Sequence, residues 1–211
     1  FICPDFSLLL NITNDHLDWH GSMKNYINSK LKIFQNQKKN QYSLVNNKFK
    51  KKFKQRKYKG KLIVPSLNNY LNLKPKIKNR YLKLDINDEN MAFVFLVSKL
   101  LKIRKKEFLN SLKTFKGLPH RYEIFLKKKN CIFINDSKAT TFQATKYALK
   151  NTKNIYWIVG GQPKKNEKIL LKSLKKNIIK SYLIGKNINF FKKQIKFNVE
   201  YFIAGNLKNS I

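Results

Sequence analysis

The stretch CIFINDSKATTFQATKYALKNTKNIYWIVGG, residues 131–161, decides the fold. Its first five residues form an apolar run suited to a strand, and Asp136-Ser137-Lys138-Ala139-Thr140 then reads as a polar turn. The spacing predicts a helix over 141–149, followed by an apolar strand over 155–159 that ends in Gly160-Gly161. Downstream the alternation continues, with expected strands near 155–159 and 181–184 and expected helices near 167–174 and 189–193. Strands that alternate with helices imply an α/β fold with a mainly parallel sheet.

Upstream, residues 122–126 pair with 131–135 as an expected hairpin, preceded by the break Lys116-Gly117-Leu118-Pro119, where a domain boundary is placed. This divides the chain into 1–116 and 117–211. In the first part, 7–13 reads as a buried strand, 23–38 as a helix, and 89–101 and 105–115 as two more helices. Between them, 42–45, 62–64 and 81–84 are expected to be short strands joined by basic turns. The run from Lys48 to Lys61 interleaves Phe49, Phe53 and Tyr58 with lysines and reads as a solvated edge strand, although the same pattern is compatible with single-stranded nucleic acid.

With 211 residues, 42% of them hydrophobic, the chain is long and apolar enough to fold around a core despite a formal net charge of +35. The cations are 42 Lys and 4 Arg. Phosphate recognition favours the planar fork of Arg, so this excess of Lys is weak evidence for a nucleic-acid partner, and none is expected. Cys3 and Cys131 have no metal-like spacing and are expected to be free thiols in a reducing compartment. No apolar run reaches the roughly 18 residues of a membrane span, and the first residues do not resemble a signal peptide. The chain is expected to be cytoplasmic, with no membrane partner. It starts at Phe1 rather than Met and stops after an apolar stretch, so both ends are expected to be cut from a longer chain.

Few residues can carry chemistry. His16 lies between Asp15 and Asp18 beyond the first expected strand, at a cleft edge. Lys30 falls on the apolar face of the 23–38 helix, between Tyr26 and Phe34. A lysine desolvated there has more of the neutral, nucleophilic amine, which takes up CO2 to form an anionic carbamate suited to Mg2+. The competing reading is a Lys30 that snorkels into water. Residues 134–140 bring a carboxylate, a cation and hydroxyls to a strand-to-helix turn where backbone N–H groups favour anions. Gly160-Gly161-Gln162-Pro163-Lys164 ends another strand, where glycines allow close backbone approach and Lys164 can pair with a carboxylate.

Residues 10–18 (LNITNDHLD), the 26–34 segment with Lys30, and Gly117-Leu118-Pro119-His120-Arg121-Tyr122-Glu123 followed by 134–140 together resemble the Mur ligase family. The resemblance spans nearly all of the chain and is least diagnostic over 35–80. It implies the C-terminal part of a P-loop-type central ATPase domain at 1–116, followed by a Rossmann-like α/β domain at 117–211. It also implies ATP-dependent amide formation, in which a carboxylate of UDP-N-acetylmuramoyl-L-alanine becomes an acyl phosphate that the amine of D-glutamate attacks. By the same resemblance Lys30 is carbamylated and joins His16 in holding Mg2+, and both are catalytic. Asn87 and Asn90 contact adenine, Arg121 contacts phosphate and Asp136 contacts ribose. Lys138, Thr140 and Lys164 hold D-glutamate.

The chain departs from the family at Ile86, where many relatives have His, and at Gln162, a position often acidic. It also contains no G-x-x-x-x-G-K-[ST] loop. In the family that loop, together with the UDP-binding domain, precedes the residue equivalent to Phe1, so the chain by itself is expected to be inactive. The rivals are a related ligase that uses another amine, and a basic nucleic-acid-binding module built on Lys48 to Lys61.

Overall fold

The computed structural model describes residues 2–13, 17–164 and 167–211, except for the side chains at 17 and 18. His16 and its predicted role lie outside the described residues. The chain divides into two compact units, Phe1–Lys116 and Gly117–Ile211.

The first unit is built on a three-stranded parallel sheet in the order β1 (Phe6–Leu9), β2 (Tyr42–Val45), β3 (Lys61–Ile63). Parallel neighbours need crossovers, and the chain supplies them with helices. After a single turn α1 (Leu17–His20), α2 (Met23–Leu31) starts where the Ser22 hydroxyl accepts the Asn25 N–H at 3.2 Å. It places Tyr26, Ile27 and Leu31 inward and continues as a 3-10 turn to Phe34, which is fully buried. Leu9, Ile27, Leu31, Phe34, Val45, Phe49 and Phe53 form one core. A second core, with Tyr70, Leu73, Ile77, Met91 and Phe108, joins α4 (Leu67–Leu71), α5 (Asp88–Leu100) and α6 (Lys105–Ser111).

Several elements of this unit differ from expectation. The 7–13 strand is only Phe6–Leu9, because its partner β2 ends at Val45, opposite Leu9. The run from Lys48 to Lys61 is not an edge strand. It forms a 3-10 turn (Asn47–Phe49) and α3 (Lys50–Gln55), because Phe49 and Phe53, four residues apart, both turn into the core. Phe53 packs edge-on against Phe34 at 5.0 Å, so these rings are not surface platforms for bases. Residues 81–84 form a turn rather than a strand. The Asn79 carboxamide accepts the Leu82 N–H at 3.1 Å, a local bond that takes the place of a ladder, and donates to the Leu112 and Phe115 carbonyls farther along the chain.

The second unit opens with an antiparallel hairpin of β4 (Glu123–Lys128) and β5 (Cys131–Asn135). Then comes α7 (Phe142–Asn151), whose N-cap Thr141 accepts the Ala144 N–H at 3.3 Å. A parallel sheet follows in the order β6 (Ile155–Gly160), β7 (Ile178–Ile184), β8 (Tyr201–Gly205), with α8 (Ile188–Ile195) before its last strand. Leu149, Leu171, Leu183, Phe191 and Ile195 centre its core. β8 has no counterpart in the sequence reading. The helix expected at 167–174 is absent, although Ile169, Leu171 and Leu174 are buried there. The Ile169 N–H is taken by the Gln194 side chain at 2.6 Å, and Ile169 and Leu171 are buried on either side of the exposed Leu170. Both cysteines are free and exposed. Among the described residues no helix is long and apolar enough to cross a membrane.

Candidate functional site

In the first unit the candidates sit on α2 and at the start of α5. Lys30 is exposed, not sheltered between Tyr26 and Phe34 as expected. It lies in the last turn of α2, where its long stem lets the ammonium reach out over the Tyr26 ring, 5.4 Å from the centroid. The other face of that environment is His20, whose ring stacks on Tyr26 at 4.9 Å. Asn87 closes a 3-10 turn (Asp85–Asn87), and its side-chain N–H donates to the Tyr81 carbonyl at 2.7 Å. Asn90 is exposed one turn into α5. Lys74 fixes this corner, with its Nζ 2.7 Å from both an Asp85 and an Asp88 carboxylate oxygen.

In the second unit, the turn after β5 gathers four candidates. The Asp136 carboxylate accepts the Tyr122 N–H at 2.9 Å. Burial pushes its pKa above the ordinary value, only partly offset by that hydrogen bond and by the nearby charge of Arg121. The Lys138 N–H donates to the His120 carbonyl at 3.0 Å, which pins the turn while leaving the Lys138 side chain exposed. His120 has φ +63° and Tyr122 φ +46°, a sharply bent path that brings Arg121 beside Asp136. Thr140 is exposed just before the N-cap of α7.

Lys164 belongs to the loop after β6. Gly160 cannot carry a side chain there, since a Cβ would lie 2.3 Å from the Ile184 carbonyl oxygen, and Gly161 has φ +114°. The side chain of Asn187 donates to the Gly161 carbonyl at 3.0 Å and to Gln162 at 3.1 Å. Glu167, which the sequence reading did not single out, joins this loop to α7. One of its carboxylate oxygens accepts the Phe142 N–H at 2.5 Å and the other the Lys164 N–H at 3.1 Å. The structure thus brings Asp136, Lys138, Thr140 and Lys164 to the ends of neighbouring segments of one unit. The signal available in the sequence was the Lys164-x-x-Glu167 spacing, which closes a turn.

The sequence pattern of the Mur ligase middle domain matches residues 1–101. Over nearly its whole length the chain is also similar to curated ligases: 36% identical to the UDP-N-acetylmuramoylalanine--D-glutamate ligase of Wolbachia sp. subsp. Brugia malayi (98% of this chain, 44% of that one), and 33% to that of Rickettsia felis (97% and 50%). Residues 1–101 belong to the Mur ligase middle-domain family. The chain spans about half the length of these relatives. Among solved structures, MurF from Acinetobacter baumannii matches with a TM-score of 0.66 at 13% identity (95% of this chain, 51% of that one). The MurF ligase from Thermotoga maritima in complex with ADP matches at 0.64 and 13% (94% and 52%). At that identity the likeness shows the α/β fold with parallel sheets alone. The middle-domain match covers β1 to β3 and all of α5, so Lys30, Asn87 and Asn90 lie inside the Mur ligase middle domain, whereas Arg121, Asp136, Lys138, Thr140 and Lys164 lie beyond it.

Proposed function

We propose that the protein carrying this chain is the cytoplasmic, ATP-dependent ligase that adds D-glutamate to UDP-N-acetylmuramoyl-L-alanine in peptidoglycan precursor synthesis. Residues 1–116 would be part of its central ATPase domain and 117–211 its C-terminal α/β domain. The observation that carries this reading is similarity over 97–98% of the chain to two enzymes named for that reaction. The chemistry present agrees with it. D-Glutamate brings two carboxylates, and Lys138 and Lys164 are cations held by backbone hydrogen bonds at the turns after β5 and β6. Thr140 adds a hydroxyl. Asp136 offers a fixed carboxylate for ribose hydroxyls and Arg121 a guanidinium for phosphate. Asn87 and Asn90 would read adenine from the start of α5.

Carboxylate activation by ATP releases ADP and leaves an acyl phosphate; attack by the amine then expels phosphate. The protein's share is to position the partners and to offset their negative charge. Mg2+ enters the proposal through His16 and Lys30. Among the described residues no three His, Cys, Asp or Glu side chains gather into a cation site, and the Lys30 ammonium itself repels a cation. Lys30 fits a metal only as its carbamate, an anionic oxygen donor.

The test is an amine panel with ATP and UDP-N-acetylmuramoyl-L-alanine, assayed in the complete protein with and without Lys138→Ala. D-Glutamate alone should be incorporated, and the variant should raise its KM by about tenfold or more while the KM for ATP holds. Incorporation of a different amino acid would replace this reading with that of a related Mur-type ligase.

A further inference from the structure

We propose that Glu167 is a positioning residue that sets the spacing between the two segments presenting cations and hydroxyls to the amino-acid substrate. The inference rests on the D-glutamate reading above and deepens it. Phe142 is the first residue of α7, so its N–H has no carbonyl partner within the helix. Thr141 caps Ala144 and leaves the Phe142 donor to Glu167, which accepts it at 2.5 Å. The second oxygen of the same carboxylate accepts the Lys164 N–H at 3.1 Å, and the Glu167 N–H returns to the Lys164 carbonyl at 3.0 Å. Lys164 is thus gripped at both of its backbone polar groups by one residue.

The anchor is itself held. Gln194 of α8 donates to the Glu167 carbonyl at 3.3 Å and accepts the Ile169 N–H at 2.6 Å, tying residues 167–169 to a helix whose Phe191 and Ile195 are in the core. Charge-assisted bonds from backbone N–H to carboxylate are short and strong, and a half-buried carboxylate at the start of a helix also meets the favourable end of the dipole. Phe142 follows Thr140 by two residues. A single rigid carboxylate therefore fixes the distance between the turn that carries Lys138 and Thr140 and the loop that carries Lys164. A dicarboxylate amino acid, held by cations from both segments, is sensitive to that distance; a nucleotide bound elsewhere is not.

The test compares Glu167→Gln and Glu167→Asp in the complete ligase. Gln keeps one acceptor and turns an N–H toward the other donor, whereas Asp retains two anionic acceptors on a shorter stem. Glu167→Gln should raise the KM for D-glutamate by about tenfold while the KM for ATP stays within about twofold. Glu167→Asp, which keeps both anionic acceptors but shortens their reach, should raise the KM for D-glutamate by a smaller amount, about threefold to fivefold, again without changing that for ATP. Amide hydrogen exchange gives a readout independent of turnover: the Phe142 and Lys164 amides should lose protection together in Glu167→Gln. An unchanged D-glutamate KM, or equal rises for D-glutamate and ATP, overturns the positioning role. A wild-type protein that forms no amide with D-glutamate, while the two amides still respond together, overturns the proposed function and leaves the clamp in place.

Discussion

Lys30 shows how one side chain can satisfy the pattern around it and still point elsewhere. Its position places it on the apolar stripe of α2, yet the ammonium lies over the Tyr26 ring in solvent. An exposed cation–π contact is worth about 0.5–1 kcal/mol, so Lys30→Ala should hardly change stability. In the complete enzyme the same substitution should lower turnover by about a hundredfold or more, with part of the loss recovered by added acetate or propionate standing in for the carbamate. Unchanged kcat in Lys30→Ala would remove the lysine from the chemistry. Glu167 is the opposite case: beyond its spacing from Lys164 nothing in the sequence marked it, because its second partner, the Phe142 amide, is 25 residues away and only the folded chain brings it there.

Among the elements, the corner that holds Asn87 depends on Lys74. Its side chain is 16% exposed, as is that of Asp88, whereas Asp85 is 85% exposed. The pair with Asp88 therefore carries most of the stabilisation. Lys74→Met leaves a half-sequestered carboxylate without its cation and should destabilise the fold by about 2–3 kcal/mol, seen as a lower urea midpoint at unchanged slope. Burial alone would pull the Lys74 pKa down, but its hydrogen bonds to Asp85 and Asp88 and their charges hold it above the ordinary 10.5. The gap between parent and variant is thus fully present below pH 10.5 and fades as the pH rises through the folded-state value. An equal midpoint for both proteins at neutral pH would contradict this.

Elements with a clear local period were legible in the sequence: α2, α5, α8, β6, β7 and the hairpin. Those settled by distant partners were not. α3 places Lys50 and Lys54 one turn apart, a local repulsion that burial of Phe53 overrides. The 81–84 turn was decided by the Asn79 side chain, which is anchored on the distant Leu112 and Phe115 carbonyls, and the 167–171 segment by Gln194. β8, with Phe202 and Ile203 exposed, shows no clean alternation and is a strand because β7 offers it a ladder.

At the scale of the molecule, the two units, Phe1–Lys116 and Gly117–Ile211, each hold a parallel sheet, and each carries part of the candidate machinery. Four candidate residues of the second unit, Asp136, Lys138, Thr140 and Lys164, cluster in two short turns that the sequence marks, whereas His16 lies outside the described residues. The formal charge of +35 did not point to the function: it is spread over lysines, and of the aromatics interleaved with the densest run Phe49 and Phe53 are core residues while Tyr58 packs against that core. What the account claims of the whole protein is an amide made through an acyl phosphate, and isotope transfer tests this most directly. With oxygen-18 in the terminal carboxylate of UDP-N-acetylmuramoyl-L-alanine, ATP and D-glutamate, the account predicts that each amide formed delivers an oxygen-18 atom to the released inorganic phosphate. Amide formation accompanied by unlabelled phosphate would contradict it.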